Sequence, residues 1–255
     1  MTNVVARYEE LLAAGELRED ADQRTAVERL AQVQEALEDP SAPGLLARLR
    51  GRKSEPVRGL YMWGGVGRGK SMLMDLFVEH LPIEGKRRVH FHAFMQEVQE
   101  GLHQARKSGE SDAIAPVAAK IAKDLRLLAL DEMQITDIAD AMILGRLFEA
   151  LFDQGVVIVA TSNRPPEDLY KDGLQRELFL PFIDMLGESL EILELDAGVD
   201  YRLDRLKAMD VYITPANAKA ESRLNEDFRS LSIGGHAAPV TLQVQGREII
   251  IPMVA

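Results

Sequence analysis

The chain has 255 residues, of which 46 % are hydrophobic and 28 % charged, enough apolar content for a full core in one large domain or one domain with an appendage. Its formal net charge of −11 works against extensive non-specific binding to nucleic acid, which needs a basic footprint. The lack of cysteine excludes a disulfide framework and thiolate metal sites, and the charged start (Arg7, Glu9, Glu10) argues against a signal peptide. No later apolar run approaches a membrane span, so a cytoplasmic location is expected.

In chain order, Tyr8, Leu11 and Leu12 suggest a short helix ended by Gly15. Asp20 followed by Gln23 resembles a capping box, opening a helix to about Leu37 with Val27, Leu30 and Ala31 on one face. Pro40, Pro43 and Gly44 break the chain, and Leu45 to Leu49 reads as one further helical turn. The basic residues Arg48, Arg50, Arg52 and Lys53, like Lys86, Arg87 and Arg88 later, read as solvated loop charge.

Arg58 to Trp63 reads as a strand, and Met72 to Val78 has helical apolar spacing. Between them lies Gly64-Gly65-Val66-Gly67-Arg68-Gly69-Lys70-Ser71, which matches the P-loop pattern G-x-x-x-x-G-K-[ST] in its required strand, loop and helix context. Glycine allows the backbone N–H groups to turn inward on phosphates, where the helix N-terminus adds its positive dipole end. Lys70 would reach the β- and γ-phosphates, and Ser71 would hold Mg²⁺.

Arg88 to His92 reads as the next strand and Phe94 to His103 as a helix; Lys107 to Asp112 is a polar linker, followed by a helix from Ile114 to Lys123. Leu127 to Leu130 is a buried-strand run that ends in Asp131-Glu132, a Walker-B ending. Asp131 would hold the Mg²⁺ shell, and Glu132 would orient and polarise the attacking water. The additional strand between the two Walker strands, together with Glu132, points to the P-loop proteins that hydrolyse with a built-in glutamate. A helix from about Asp137 to just before Gly155 carries Ile138, Met142, Gly145, Phe148 and Phe152 on one face. Val156 to Ala160 is a buried strand that runs into Thr161-Ser162-Asn163, and Asn163 is the candidate sensor of the water near the γ-phosphate. Leu190 to Leu195 completes a five-stranded sheet flanked by helices. Thr214 to Asp227 is helix-like, and Val240 to Val244 with Arg247 to Ile251 around Gln245-Gly246 reads as a β-hairpin.

The ordered strings RGLYMWGGVGRGKSMLMDLF, RVHFHAFMQEVQEGLH, LLALDEMQITDIADAMILGRLFEALF, ATSNRPPEDLYKDGLQRELFLPFI and ELDAGVDYR resemble the ZapE, or AFG-like, branch of the AAA+ ATPases, over about Tyr8 to Leu203. The resemblance implies an α/β, P-loop AAA+-type parallel five-stranded sheet and an Mg²⁺-dependent, ATP-hydrolysing enzyme with ATP and Mg²⁺ bound. It also implies a bacterial cell-division ATPase associated with the FtsZ ring, a nucleotide-dependent homo-oligomer, with mitochondrial relatives linked to protein quality control. Carried over by position, Gly64 to Ser71 is Walker A, Asp131 and Glu132 are Walker B, and Asn163 is the first sensor. Arg176 is the arginine a subunit presents to its neighbour's γ-phosphate. The preference for adenine is implied by the resemblance alone.

The expected organisation is an N-terminal helical segment (1–53), an ATPase core (54–203) and an incomplete C-terminal segment (204–255). Family members continue beyond the point where this chain stops, so a truncated chain is expected, and Ile249 to Ile251 would be an aggregation-prone edge unless paired. His90 and His92, expected on one face of a strand, offer with His103 only a weak metal-site pattern, and Trp63 reads as a packing residue. Two rival readings share the same core. One is a nucleic-acid-associated loader, which would depend on Arg87 and Arg88, and the other is a nucleotide-gated, non-hydrolysing scaffold.

Overall fold

The computed structural model describes residues 3–38, 57–196, 214–215, 217–231, 238–244 and 247–254. The expected turn at Leu45 to Leu49, the basic group Arg48 to Lys53 and the string after Asp196 lie outside these residues. Two compact units are present, Met1–Val199 and Asp200–Ala255.

The first unit is built on five parallel strands, β1 (Gly59–Trp63), β2 (Lys86–His90), β3 (Leu127–Asp131), β4 (Val157–Ser162) and β5 (Leu190–Glu194), in the spatial order β2-β3-β4-β1-β5. The inner strands β1, β3 and β4 are buried apolar runs covered on both faces, whereas the edge strands β2 and β5 carry charged residues and are mostly half-buried. The period-2 alternation sorts each strand's side chains: Leu60, Met62, Leu127, Ala129, Val157 and Val159 enter one core, and Tyr61, Leu128, Leu130, Ile158 and Ala160 enter the other. Helices α1 (Val4–Ala13), α2 (Ala21–Glu38) and α3 (Lys70–His80) fill the first core with Val4, Tyr8, Leu30, Leu73 and Phe77. The second is filled by α4 (Phe91–Lys107), α5 (Ile114–Ala122), α6 (Ile138–Asp153) and α7 (Leu180–Ser189). The result is the α/β, P-loop-type sheet expected from the sequence. Strand β4 inserts between the P-loop strand β1 and the Walker-B strand β3.

The cap at Asp20 forms, whereas the Gln23 side chain accepts from the Tyr8 hydroxyl and donates to the Arg68 carbonyl. The Asp20 carboxylate accepts from the N–H groups of Asp22 (2.9 Å) and Gln23 (3.0 Å), and Gly15 ends the first helix with φ of 73°. Three further expectations are corrected. The strand expected over Arg88 to His92 occupies Lys86–His90, and α4 begins at Phe91, so His90 and His92 do not share a strand face. The helical stripe of Phe91, Phe94, Met95, Val98 and Leu102 decides this boundary, because it can be buried only if the helix starts that early. On α6 the buried stripe is Ala141, Leu144, Leu147, Phe148 and Leu151, while Met142 is exposed. Apolar residues surround most of α6, so the polar residues Asp140, Arg146, Glu149 and Asp153 were the better guide to its outer side. Finally, Lys86, Arg87 and Arg88 are not loop charge: all three lie in β2 and each has a partner. Lys86 Nζ donates to the carbonyls of Val78 and Leu81 (both 2.6 Å), Arg87 pairs with Glu97, and Arg88 reaches Asp75 and Asp131.

The second unit contains α8 (Ala218–Leu231), capped by Asn217 Oδ1, and an antiparallel hairpin of β6 (Ala238–Val244) and β7 (Arg247–Val254). Ile249, Ile250 and Ile251 are paired there with Leu242, Thr241 and Val240. No helix among the described residues is long and apolar enough to cross a membrane.

Candidate nucleotide site

Parallel strands place their carboxyl ends on one side of the sheet, where open α/β sheets bind ligands. The P-loop leaves β1 there, Asp131 ends β3, and Thr161 and Ser162 end β4. Two glycines of the loop are required by its geometry. Gly64 has φ of 148° and a Cβ there would sit 2.2 Å from the Leu195 carbonyl oxygen; Gly69, at φ of 87°, caps α3, and a Cβ there would lie 2.8 Å from Gln23 Nε2. From outside the loop, Gln23 Nε2 donates to the Arg68 carbonyl (3.1 Å), so α2 is part of the wall that shapes it. Lys70 is only 8 % exposed, and its ammonium donates to the carbonyls of Gly64 (2.9 Å) and Gly65 (2.7 Å), which holds it inside the loop at the start of α3.

A continuous hydrogen-bonded chain joins the two Walker elements. Ser71 Oγ donates to Asp131 Oδ1 (2.9 Å), Thr161 Oγ1 donates to the same oxygen (2.6 Å), and the Glu132 N–H donates to Thr161 Oγ1 (2.9 Å). Arg88 Nη2 donates to the other oxygen of Asp131 (2.8 Å), which satisfies a carboxylate that is 1 % exposed. Beyond Arg88 lies Asp75, whose carboxyl is pushed above its ordinary range, chiefly by burial, although the Arg88 guanidinium pulls the other way. Glu132 is exposed and left-handed (φ of 57°), so the chain turns sharply as it leaves β3. Ser162 Oγ donates to the Met133 carbonyl (2.8 Å) and accepts from the Arg164 N–H (3.2 Å), while the Tyr61 hydroxyl, its pKa raised by burial, donates to the Arg164 carbonyl (2.9 Å).

The structure therefore brings Lys70, Ser71, Asp131 and Glu132 to one end of the sheet. Asn163 follows β4 directly and is exposed. Arg176 opens a short 3₁₀ turn and donates through Nη2 to the Glu167 carbonyl. Neither joins the chain from Ser71 through Asp131 and Thr161 to Glu132. The segment before Arg176 is held in an uncommon conformation, with Tyr170, Asp172 and Gln175 all left-handed, and the Tyr170 hydroxyl donating to the Leu174 carbonyl (3.0 Å). Around Arg176 three leucines face solvent: Leu174 (71 %), Leu178 (58 %) and Leu180 (42 %). The contributions of Arg88 and Gln23 were missed by reasoning from sequence, and Thr161 was seen only as a member of the polar cluster at the end of β4.

The donor set fits the groups a P-loop takes. A serine hydroxyl and a buried aspartate oxygen 2.9 Å apart are hard oxygen donors suited to Mg²⁺, and the glycine loop with its buried lysine suits polyphosphate. Among the described residues no group of three His, Asp or Glu side chains is gathered as a metal site.

The family model described as AFG1-like ATPase matches residues 2–255. Cell division protein ZapE of Escherichia coli (strain K12) is 40 % identical, an alignment covering 96 % of this chain and 68 % of that protein. Lactation elevated protein 1 homolog B of Danio rerio is 38 % identical over 97 % of this chain, which spans 60 % of that relative's length. Among solved structures, AMPPCP-bound DnaA from Aquifex aeolicus is similar with a TM-score of 0.48 at 15 % identity, over 85 % of this chain and 64 % of that one.

Proposed function

Because the chain belongs to the AFG1-like ATPase family, we propose that it is an Mg²⁺-dependent AAA+ ATPase, converting ATP and water to ADP and phosphate, and that it acts on the cell-division ring through FtsZ. The observation that carries the enzymatic part is the 2.9 Å contact of Ser71 with Asp131 beside a buried Lys70. In this reading the inward N–H groups of Gly64 to Lys70 and the start of α3 bind the phosphates, and Lys70 turns its ammonium to them. Ser71 and Asp131 hold Mg²⁺, which when bound neutralises charge developing on the phosphates. Glu132 accepts the proton of the attacking water while Asn163 helps to orient that water. Arg176 acts in trans on a neighbouring copy, an assistance worth about 10³–10⁵ in rate where such arginines have been measured. The exposed leucines around Arg176 support a contact between copies of this chain at that segment. The ATPase core is residues 54–203, with the helical segment 1–53 before it and 204–255 after it, and the enzyme works in the cytoplasm.

The loader reading is disfavoured by the structure's use of its basic pair, since Arg87 is engaged by Glu97 and Arg88 by Asp75 and Asp131. The test of the proposed function is Mg²⁺-dependent ATP hydrolysis measured against protein concentration, for the chain and for Glu132→Gln. Specific activity that rises with concentration and falls at least about 10²-fold in the variant is expected. Turnover unaffected by Glu132→Gln would refute the mechanism, and ATP binding without turnover in either chain would favour the scaffold reading.

A further inference from the structure

Arg88 has a position that the proposed reaction does not yet explain. It is the third residue of β2, in register with Ala129 of β3, and its side chain is 26 % exposed. One guanidinium bridges two carboxylates from two different elements. It makes an ion pair through Nε with Asp75 of α3, and Nη2 donates to Asp131 Oδ2 at 2.8 Å. Asp75 lies four residues after Ser71, one turn along the same helix, so the guanidinium links the helix carrying the hydroxyl donor to the strand carrying the carboxylate donor. The other Asp131 oxygen is already committed to Ser71 and Thr161. With both oxygens bonded from fixed directions, the carboxylate has one orientation, in which Oδ1 faces Ser71.

We infer that Arg88 is a positioning residue for the metal site: by bridging Asp75 and Asp131 it fixes the carboxylate plane of Asp131 and the distance of α3 from β3, and so sets the affinity for Mg²⁺ in the nucleotide complex. This rests on the proposed reading of the site as one that takes ATP with Mg²⁺. Partners one step removed from a metal orient its ligands, and their loss costs about 10–100-fold in metal affinity or activity. An arginine is required because its planar fork serves two carboxylates at once, whereas a lysine ammonium is a point charge on a flexible stem. The rival role, a mere counter-charge, predicts the opposite sign. Removing one positive charge beside Asp131 would leave a more negative site and tighten Mg²⁺.

The experiment is equilibrium binding of a fluorescent, non-hydrolysable ATP analogue to the full chain, in EDTA and across a Mg²⁺ titration, for the unaltered chain, Arg88→Met and Arg88→Lys. For Arg88→Met, binding in EDTA stays within about 2-fold, while the Mg²⁺ concentration that half-saturates the Mg²⁺-dependent tightening rises about 10–100-fold. Arg88→Lys recovers less than half of that loss on a logarithmic scale. An unchanged or lowered half-saturating concentration in Arg88→Met overturns the inference, and so does full rescue by lysine. Should Arg88→Met fail to fold, Arg88→Lys decides, because it keeps the positive charge beside Asp131 and loses only the planar fork, whereas Asp75→Asn removes a negative charge and would weaken Mg²⁺ under either role. A rise of at least about 3-fold is expected in the lysine variant, and no rise overturns the inference. Absence of Mg²⁺-dependent tightening in the unaltered chain would instead refute the proposed function on which the inference stands.

Discussion

Thr161→Val exchanges a fully buried hydroxyl for a methyl of nearly the same volume, so its effect isolates the hydrogen bonds at the end of β4. Two bonds are lost. The first, to Asp131 Oδ1 at 2.6 Å, is a bond to a buried carboxylate, and such bonds are worth about 1.5–3 kcal/mol. The second leaves the Glu132 N–H without its acceptor, which costs about 1 kcal/mol here, the low end of the usual range, because Glu132 is exposed and water can reach it. Asp131 keeps Ser71 and Arg88, which limits the damage. The sum is about 2.5–4 kcal/mol, offset by somewhat under 1 kcal/mol from burying the added apolar group. A net loss of about 2–3 kcal/mol follows, or about 4–12 °C in Tm for a unit of this size. Urea unfolding read through Trp63, the only tryptophan, measures it, with Thr161→Ser as the control that keeps the hydroxyl and loses about 1 kcal/mol. ATP turnover should fall about 10-fold or more in the valine variant, since Glu132 loses the bond that fixes its left-handed backbone. A valine variant within about 0.5 kcal/mol of the unaltered chain, or a serine variant no better than valine, would refute the role given to these bonds.

Lys70→Met should weaken binding of an ATP analogue about 10–100-fold by removing a charge-assisted contact, as titrated by fluorescence; a smaller change would mean that the loop N–H groups alone hold the phosphates. Leu178→Asp should leave the urea midpoint unchanged, because the side chain is 58 % exposed, yet abolish the rise of specific activity with concentration; retained cooperativity would place the contact between copies elsewhere. The Arg87 guanidinium, hydrogen-bonded to Glu97, holds that carboxyl below its ordinary range. The pair's stabilisation is therefore fully present above the unfolded Glu value of about 4.3 and is lost as pH falls through the lowered native value. Both partners are about a third or more exposed, so Arg87→Ala should cost less than about 1 kcal/mol at pH 7 and nothing near pH 2. A deficit persisting in acid would show that Arg87 acts through its apolar stem.

Local chemistry made the nucleotide loop legible. Gly64 to Ser71 carries its function in consecutive residues, and Asp131-Glu132 follows an apolar run that reads as a buried strand. The helix starts at Asp20 and Asp137 were equally readable, because a cap is a bond between neighbours in sequence. What escaped depends on which strands become neighbours. Thr161 matters because β4 lies beside β3, which brings it to a carboxylate 30 residues earlier, and Arg88 matters because β2 flanks β3 on the other side. On sequence alone a basic triplet is equally compatible with solvent. The misplaced start of α4 has a different cause. Val89 and Phe91 alternate with His90 and His92 as a strand would, and only the longer stripe through Leu102 overrides that short-range pattern.

The strand order has a consequence for synthesis. In the sheet, β1 touches only β4 and β5, with Leu60 beside Val159 and Gly59 beside Leu190, so the strand bearing the phosphate loop waits for partners about 100 and 130 residues later in the chain. Such distant closures slow folding and leave β1 without strand partners while the ribosome is still at work. Until Ser162 has emerged, Lys70 and Ser71 stand against α2 and Asp131 alone, without the β4 strand that carries Thr161, so a nascent chain arrested before that point should hold β2 and β3 paired and grip ATP weakly.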